Sequence, residues 1–540
     1  MIEFENKLPS LVCNGKNNGV FNNREMAFPG IFTTDDPILG EFLHTLRSNI
    51  YADRALLFID GKIIMTNKNW IRDHVHVMKG MRHFEYDLNS FLDFIIETQR
   101  EDGQFYELIK QVSDGHWKMV DDDCRVMYPD DNLVLVRLEL EADVEYLVVE
   151  GAVYAYKVSG NDEWLKRILP NLEKSIDYMT GDPKRWNKEL GLVIRPFTID
   201  TWDFVDTKET HNDRRIHENE PMSAMHGDNS GVYQAMNQLA WFNRRLGNEE
   251  KALDWERRAE ELKANMFKYL WNGKFFMHQY HIGHSGKDDK ENIRLSLSNT
   301  YDINRSVTNL EQSRSIIEEY MERRKTTDLF AEWFTIDPPY EPDFASHKAG
   351  EYVNGSVSPF TAGELAKAAF NNGYEEYGWD IISRFIKLVE RDGMPYFLYH
   401  TDSRPQPELG PSAWGAAAFI SAVDEGLAGI VDADVGYRKI NFSPRFPVTY
   451  YTELRYITGY EKTGTKVDVK FILKDEGMRY DIDSPAEEIN AHILLPRGKT
   501  AKEMYVNGEK TDFVLNSVGE SLYANVLVKA KGNISFEIIF

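Results

Sequence analysis

Apolar residues between about residue 56 and residue 430 recur at the three- and four-residue spacing of amphipathic helices. Three stretches contain two such segments each, joined by a turn in which Gly or Asn is followed by acidic residues, as at a helix end and a helix start. In each pair the first segment is apolar, whereas the second is charged along one face. The pattern predicts first helices covered on all sides and second helices half exposed to solvent. The stretches are EADVEYLVVEGAVYAYKVSGNDEWLKRILPNLEKSIDYMTGDP, DNSGVYQAMNQLAWFNRRLGNEEKALDWERRAEELKANMFKYLWN and SPFTAGELAKAAFNNGYEEYGWDIISRFIKLVERDG.

Helix pairs of this kind form two concentric layers and close into a ring. The sequence therefore predicts a mainly α protein in which residues 56–435 form an (α/α)6 toroid of helical hairpins. Segments near residues 70–100, 295–325 and 413–430 are expected to supply the remaining helices. Among them, MRHFEYDLNSFLDFIIETQREDG is predicted to be one helix that ends at Gly103.

The two ends of the chain have other patterns. Residues 1–55 contain turn residues such as NGKNNG and few helical periods, which predicts an irregular segment with short strands. Residues 436–540 alternate polar and apolar side chains, and VNGE separates two such runs as in a hairpin. The sequence therefore predicts a C-terminal antiparallel β-sandwich, packed on the toroid without a flexible linker.

Charge restricts the partners that we expect. The chain of 540 residues has a net charge of −24, from 63 basic and 87 acidic residues. Nucleic acids and anionic membrane surfaces are bound by clustered Lys and Arg, so neither is a predicted partner. No apolar stretch approaches the length of about 18 residues that spans a bilayer.

No cofactor or metal site is predicted from the cysteines. Cys13 and Cys124 lie far apart and form no ligand or disulfide motif, which favours a reducing compartment. The first residues, MIEFENKLPS, lack the basic and apolar regions of an export signal. The predicted location is cytoplasmic.

One loop combines aromatic and acidic residues. In RPFTIDTWDFVDTK, Asp203 lies between Trp202 and Phe204, with Asp200 and Asp206 close by. A carboxylate buried among aromatic rings is costly unless it has a partner or a function. A helix cap in a solvated turn is one interpretation. A sugar site is the other, because sugar binding uses an aromatic face beside a carboxylate.

Other loops that precede apolar helices carry further candidate residues. Asp73 also fits a helix cap and Arg72 a local ion pair, whereas Glu145 fits a first helical turn and Asp228 an N-cap. His74 and His76 form a His-x-His pair, but no third ligand pattern accompanies them. The candidate substrate-binding residues are Trp70, Arg72, Asp73, Glu145, Trp202, His226, Asp228, Asn354, Asp402 and Trp414.

Two carboxyl groups would be needed to hydrolyse a glycosidic bond. One donates a proton to the leaving oxygen, and the other activates water or attacks directly. Asp203 fits the proton donor best, because apolar walls favour a protonated carboxyl group. Glu408 is the best partner, since the prolines of RPQPELGP hold its loop stiff. Glu351 is a further catalytic candidate.

Several of these motifs resemble those of the six-hairpin glycoside hydrolases. NWIRDHVHVMKGM, EADVEYLVVEGA, TWDF and GPSAWGAAAFISAVDEGLAGI are similar to trehalases, processing and debranching-type α-glucosidases, glucoamylases and α-rhamnosidases. GYRKINFSPRFP and the β-module after it resemble the end of the rhamnosidase-like members.

The resemblance implies an exo-acting, inverting glycosidase without a cofactor, acting on an oligosaccharide or glycoside. It implies Asp203 as general acid and a general base shortly before Trp414, which leaves Glu408 and Asp402 open, with Glu351 near a sugar-contacting loop. Inversion implies acid and base carboxyl groups about 6.5–9.5 Å apart.

Two other functions stay open at this point. Polysaccharide lyases also combine an α/α toroid with a β-sandwich, and Arg72, His76 and His226 could serve the lyase reaction. The net charge of −24, however, disfavours a polyanionic substrate. A non-catalytic carbohydrate-binding protein is the other alternative. The sequence predicts neither the sugar and its linkage nor the oligomeric state.

Overall fold

The computed structural model describes residues 33–202, 214–283, 290–326, 329–530 and 532–540. Its α-helices are α1 (Pro37–Ala52), α2 (Ile71–Met81), α3 (Ser90–Glu97), α4 (Val144–Ser159), α5 (Asp162–Met179), α6 (His226–Arg245), α7 (Glu249–Tyr269), α8 (Ser298–Asn304), α9 (Leu310–Lys325), α10 (Pro359–Asn371), α11 (Glu375–Asp392) and α12 (Ala413–Ser421). A π-helical turn, Ala422–Leu427, continues α12.

The even-numbered helices contact one another in cyclic order. Contacts run from α2 to α4, α6, α8, α10 and α12, and α12 returns to α2. The odd-numbered helices pack against this cycle, for example α7 on α6, α11 on α10 and α1 on α12. In the three predicted pairs, the first helices α4, α6 and α10 are mostly buried, whereas the second helices α5, α7 and α11 bury one face. The predicted contrast between covered first helices and half-exposed second helices is therefore confirmed.

The three predicted hairpins are α4–α5, α6–α7 and α10–α11. The predicted single helix from Met81 to Gly103 is wrong, since α2 ends at Met81 and α3 begins at Ser90. The Asp87 carboxylate accepts hydrogen bonds from the N–H groups of Asn89 and Ser90, at 3.2 and 2.9 Å. Such an Asx turn competes with a continuous helix.

Residues 1–55 are predicted to be irregular, but α1 occupies most of the part of this segment that the structure describes, residues 33–55. Asp36 caps α1, because its carboxylate accepts a hydrogen bond from the N–H of Leu39 at 2.7 Å, and Pro37 follows as the first helical residue. The apolar face of α1 includes Phe42, which contacts Phe419 of α12 edge to face at 6.2 Å between ring centroids. Residues 37–52 thus belong to the helical layer.

The strands form two larger sheets and several short ones. They are β1 (Thr33–Thr34), β2 (Arg54–Ile59), β3 (Lys62–Asn67), β4 (Leu108–Gln111), β5 (Arg125–Tyr128), β6 (Leu133–Val136), β7 (Trp186–Asn187), β8 (Leu192–Val193), β9 (Arg195–Pro196), β10 (Met222–Met225), β11 (Gln279–His281), β12 (Leu295–Ser296), β13 (Ile336–Asp337), β14 (Asp343–Phe344), β15 (His347–Lys348), β16 (Ile430–Asp432), β17 (Lys439–Phe442), β18 (Glu453–Tyr460), β19 (Thr465–Lys474), β20 (Gly477–Asp483), β21 (Glu488–Leu494), β22 (Glu503–Val506), β23 (Glu509–Lys510), β24 (Val514–Val518), β25 (Ser521–Lys529) and β26 (Ile534–Ile539).

The C-terminal region consists of two sheets that face each other. One has the order β1-β18-β19-β20-β26-β22-β23 and the other β16-β17-β21-β25-β24. Phe442 of the smaller sheet packs against Tyr480 and Phe536 of the larger, with ring centroids 5.4 and 6.3 Å apart. All ladders in both sheets are antiparallel except β17–β21.

The predicted VNGE hairpin is confirmed. Asn507 and Gly508 both have positive φ, 52° and 80°, as a two-residue turn between β22 and β23 requires. The N-terminal strand β1 pairs with β18, so the larger sheet also draws on residues before the helices. Among the described residues, we find no helix with the length and apolarity to cross a membrane.

Candidate active site

Two adjoining cavities lie where the chain leads into α2, α10 and α12. The first has a volume of about 250 Å³, and the second about 330 Å³. Tyr352 and Leu409 belong to the walls of both. The first is lined by Lys68, Trp70, Asp73, Val77, Tyr352, Phe397, Leu409, Pro411, Ser412, Ala413 and Trp414. The second is lined by His347, Glu351, Tyr352, His400, Gln406, Glu408 and Leu409.

Trp414 provides a rigid aromatic wall for the first cavity. Its ring stacks on His76, with centroids 4.0 Å apart and planes 8° apart, and on Phe360 at 4.6 Å. Its Nε1 donates a hydrogen bond to the Tyr301 hydroxyl at 3.0 Å. Trp202 lies parallel to Trp414, with centroids 6.4 Å apart. Trp414 and Trp202 are 5% and 4% exposed, so these packed rings form a rigid apolar wall.

Tyr352 connects the two cavities. Its hydroxyl accepts a hydrogen bond from Trp202 Nε1 at 2.7 Å, and its backbone N–H donates to Gln406 Oε1 at 3.1 Å. Its φ is 47°, and Lys68, which lines the first cavity, has a φ of 66°. Non-glycine residues in this region are strained, and such strain is concentrated at functional sites.

The strand-to-loop segment Asp200–Trp202 is held by groups from several elements. Asp200 accepts hydrogen bonds from the N–H and the hydroxyl of Ser298. Arg72 donates to the Thr201 carbonyl at 3.0 Å, and Arg195 donates to the Trp202 carbonyl. Asp203, the predicted general acid, is the next residue, and it lies outside the described residues.

The predicted carboxylates Glu351 and Glu408 both line the second cavity. Glu408 is exposed in the short turn Pro407–Leu409. Glu351 is half-buried, and its Oε2 accepts a hydrogen bond from the N–H of Lys348 at 3.0 Å. Burial lowers the pKa of the neighbouring His347, although the charge of Glu351 opposes that shift.

The other predicted residues take different places. Trp70, Asp73 and Trp414 line the first cavity, and Arg72 and Trp202 lie in the buried layer around it. Asn354 is buried, and its amide group bonds the backbone of Tyr340 and His347. Asp402 lines neither cavity. It is on the surface, where a hydrogen bond from Arg404 at 2.7 Å lowers its pKa.

Glu145 and His226 are buried and fully engaged. Glu145 accepts hydrogen bonds from Arg137 and from the N–H of Phe105, both at 3.2 Å. His226 lies between Asp302 at 2.6 Å and Ser296 at 2.7 Å. Burial opposes charge on His226, but the Asp302 carboxylate outweighs that effect and raises its pKa.

Asp228 does not cap α6 as predicted. The helix begins at His226, Met225 precedes it without a side-chain cap, and Asp228 lies within the first turn. Its carboxylate is buried, and Arg195 Nη1 approaches it at 3.7 Å. Burial raises the pKa of Asp228 to about 6, which the charges of Asp143 and Asp200 reinforce and Arg195 opposes.

The two histidines of the His-x-His pair have structural contacts. His74 Nδ1 accepts a hydrogen bond from the N–H of Asn67 at 3.1 Å, while His76 supports Trp414. In the part of the chain that the structure describes, no cluster of three potential metal ligands is found. His74 contacts Phe91 edge to face, and His76 stacks on Trp414.

Sequence reasoning missed Tyr352 and Arg195. Tyr352 follows Glu351 in a loop already singled out, and Arg195 begins the stretch that contains Trp202. The available signal was an aromatic residue next to a candidate carboxylate for Tyr352, and a cation in the same stretch as the candidate acid for Arg195. Their contacts join parts of the chain far apart in sequence, such as the hydrogen bond between Trp202 and Tyr352.

The chain is similar to several known proteins. Residues 194–332 match the family model described as trehalase. The structure is similar to the α-L-rhamnosidase of Dictyoglumus thermophilum at 12% identity, with a TM-score of 0.57, covering 94% of this chain and 51% of that one. It is also similar to the GH78 rhamnosidase of Bacillus sp. GL1, at 14% identity and a TM-score of 0.57, covering 86% and 42% of the two chains.

A third similar structure is an α-L-rhamnosidase of Streptomyces avermitilis complexed with L-rhamnose. Its identity is 13% and its TM-score 0.54, over 94% of this chain and 42% of that one. The chain thus spans about half the length of these structures or less. Comparison with curated protein sequences gives no match. The trehalase match over residues 194–332 supports the predicted relationship to six-hairpin glycoside hydrolases, and the similar structures share the fold.

Proposed function

We propose that the protein is an exo-acting, inverting glycosidase that releases a terminal sugar from an oligosaccharide or glycoside. The observation that supports this most is the pair of adjoining cavities, which combines an indole wall with the carboxylates Asp73, Glu351 and Glu408. The cyclic helix contacts support an (α/α)6 toroid with the site at one end. The α-L-rhamnosidase structures make α-L-rhamnosides reasonable first substrates to test.

Asp203 is the proposed general acid. It follows Trp202 directly, and the Trp202 ring lies parallel to the Trp414 wall of the first cavity. Apolar walls favour the protonated carboxyl group that a proton donor needs. The segment that matches the trehalase family model includes both residues.

Glu408 is the proposed general base. It lines the second cavity and is exposed to solvent, so its carboxylate has access to water. In the proposed reaction Asp203 protonates the glycosidic oxygen while Glu408 removes a proton from the water that attacks the anomeric carbon. The product then has inverted configuration, and the two carboxyl groups are expected about 6.5–9.5 Å apart.

A panel of nitrophenyl and methyl glycosides tests the proposal, with the anomer of the first product identified by NMR. Asp203→Asn keeps the size of the side chain but removes the proton donor, so hydrolysis of the methyl glycoside is expected to fall by about 10²–10⁴-fold. Circular dichroism of the variant checks the fold. Full activity of a folded Asp203→Asn protein, or retained anomeric configuration, contradicts the proposed mechanism.

A further inference from the structure

Two buried arginines donate hydrogen bonds to consecutive backbone carbonyls. Arg72 Nη2 contacts the Thr201 oxygen at 3.0 Å, and Arg195 Nη2 contacts the Trp202 oxygen. Arg72 belongs to α2 and Arg195 to β9. The two side chains are 7% and 1% exposed, so water does not compete for them.

Each arginine faces a buried carboxylate from another element. Arg72 binds Asp143, which precedes α4, through Nε at 2.5 Å and Nη2 at 3.0 Å. Arg195 faces Asp228 of α6, with 3.7 Å between Nη1 and Oδ1. The cations that hold the Thr201 and Trp202 carbonyls are therefore themselves oriented by the starts of two neighbouring helices.

The Arg195–Asp228 pair is incompletely bonded. Neither carboxylate oxygen of Asp228 has a hydrogen bond in the described part of the chain, and the same holds for Nε and Nη1 of Arg195. Unpaired buried polar atoms are costly and rare, and each needs an explanation. The Arg195 fork is thus directed at the Trp202 carbonyl through Nη2, while its Nη1 approaches Asp228 at 3.7 Å.

Further contacts fix the same three residues. Asp200 is bonded to Ser298 at the start of α8, and its own N–H donates to His278 Nε2 at 2.8 Å. The Trp202 indole donates to Tyr352. Groups from α2, β9, α8 and the loop of Tyr352 thus converge on Asp200–Trp202.

We propose that Arg72 and Arg195, with Asp143 and Asp228 behind them, are positioning residues that hold the Thr201–Trp202 backbone in register with the cavity. They fix the Trp202 ring, which lies parallel to the Trp414 wall, and the backbone that leads to the next residue, Asp203. The link to Asp203 rests on the proposed function. The hold on Thr201 and Trp202 does not, because it follows from the contacts alone. Arg72 then acts through the backbone and not on the sugar.

Substitution by lysine tests this assignment. Arg195→Lys and Arg72→Lys keep the positive charge but lose the planar fork that reaches carboxylate and carbonyl together. Arg384→Lys is the matched control, because Arg384 is 9% exposed, binds Glu332 at 2.8 and 2.9 Å and donates to the Phe330 carbonyl, away from the cavities.

Two substrates separate positioning from general damage. A methyl glycoside needs protonation of its leaving group, whereas a 2,4-dinitrophenyl glycoside of the same sugar does not. Misplacing a catalytic group by about 1 Å costs about 10²-fold. We expect kcat on the methyl glycoside to fall by about 10²-fold in Arg195→Lys and Arg72→Lys, with little change on the dinitrophenyl glycoside. Arg384→Lys should leave the ratio of the two rates unchanged.

Hydrogen exchange gives a readout that needs no substrate. The amides of Thr201 and Trp202 donate to Asp200 Oδ1 at 2.9 Å and to the Ile199 carbonyl at 3.3 Å. Both amides should exchange faster in the two clamp variants, Arg72→Lys and Arg195→Lys, and at the wild-type rate in Arg384→Lys.

The outcomes distinguish the two proposals. Unchanged exchange of both amides in the clamp variants overturns the positioning role. Equal losses on both glycosides together with faster exchange remove only its link to Asp203. If Asp203→Asn is fully active while the two amides exchange faster, the assignment of the general acid fails and the positioning of Thr201–Trp202 stands. If the chain hydrolyses no glycoside in the panel, the exchange rates alone decide.

Discussion

The surroundings of single carboxylates separate the candidate bases. Glu408 is exposed in its turn, whereas Glu351 is half-buried and accepts a backbone hydrogen bond. We expect Glu408→Gln to lower kcat by about 10²–10⁴-fold, because the variant cannot take a proton from water. Glu351→Gln should mainly raise KM, since the amide keeps the loop contact. Steady-state kinetics on the same glycoside measures both.

Asp402→Asn is the control for this comparison. Asp402 lines neither cavity and pairs with Arg404 on the surface, so its kcat and KM should stay near wild type. A larger loss of kcat in Asp402→Asn or Glu351→Gln than in Glu408→Gln would move the base to that residue.

Individual residues also show how far sequence reasoning extends into the site. Five predicted residues line the cavities, and each belongs to a stretch of acidic and aromatic residues before or at the start of an apolar helix. They are Trp70, Asp73, Glu351, Glu408 and Trp414. Such a stretch is a local signal. The assembly of Arg195 with Trp202, Asp228 and the helix starts is set by long-range packing, which a single sequence does not display.

Close approach of two helices explains why α10 contains a glycine. A Cβ on Gly363 would lie 2.7 Å from the carbonyl carbon and Cβ of Ala418 in α12. Gly363→Ala therefore forces the helices apart, and we expect a loss of about 1–3 kcal/mol of unfolding free energy. Thermal or urea unfolding measures it.

Gly40 of α1 provides the opposite case. Among the described residues, a Cβ there would meet Thr34 atoms at 3.6 Å, an ordinary van der Waals contact, in a helix that follows a capped start. Gly40→Ala is expected to stabilise the protein by up to about 1 kcal/mol through helix propensity. If Gly363→Ala and Gly40→Ala changed the unfolding free energy by the same amount, helix propensity and not the α10–α12 contact would determine the effect at Gly363.

Helices could be predicted from the sequence where the periodicity and the helix-start signal lie within one helix pair. The hairpins α4–α5, α6–α7 and α10–α11 have clear periodicity and acidic helix starts. The break after Met81 depends on one Asp87 side chain that bonds two backbone N–H groups, and periodicity does not register it. Asp36–Pro37 is a recognisable helix-start signal for α1. The residues before it are rich in turn formers, however, and they favoured the prediction of an irregular segment.

At the scale of the whole molecule, buried charge between helices and sheets predicts a pH dependence of stability. Asp424, in the π-helical turn after α12, accepts a hydrogen bond from Tyr456 of β18 at 3.0 Å. Burial raises the pKa of Asp424 to about 7, the Glu425 charge adds to this, and Thr458, Arg82 and Tyr456 oppose it.

The sign follows from the raised pKa. The unfolded carboxyl group titrates near pH 3.9, so the folded protein holds a proton that the unfolded chain has lost between about pH 4 and pH 7. The contribution of Asp424 to stability is therefore fully present below about pH 4 and is lost as the pH rises through about 7. Asp424→Asn keeps an acceptor for Tyr456 and does not titrate.

We expect the melting temperature of Asp424→Asn, relative to wild type, to increase from pH 5 to pH 8. Subtracting the melting temperature of the wild type from that of the variant cancels the contributions of other buried acids. Glu107 and Asp228 are examples, because their pKa values are also raised. A constant difference across this range would mean that Asp424 has a similar pKa in the folded and unfolded chains.

The contact between α2 and α12 has a consequence for biosynthesis. The two helices are neighbours in the folded chain, yet α12 begins more than 300 residues after α2 ends. At translation rates of about 5–20 residues per second, the apolar side of α2 leaves the ribosome tens of seconds before its partner exists. A nascent chain stopped short of α12 would therefore keep this surface uncovered, which makes interrupted products natural clients of chaperones.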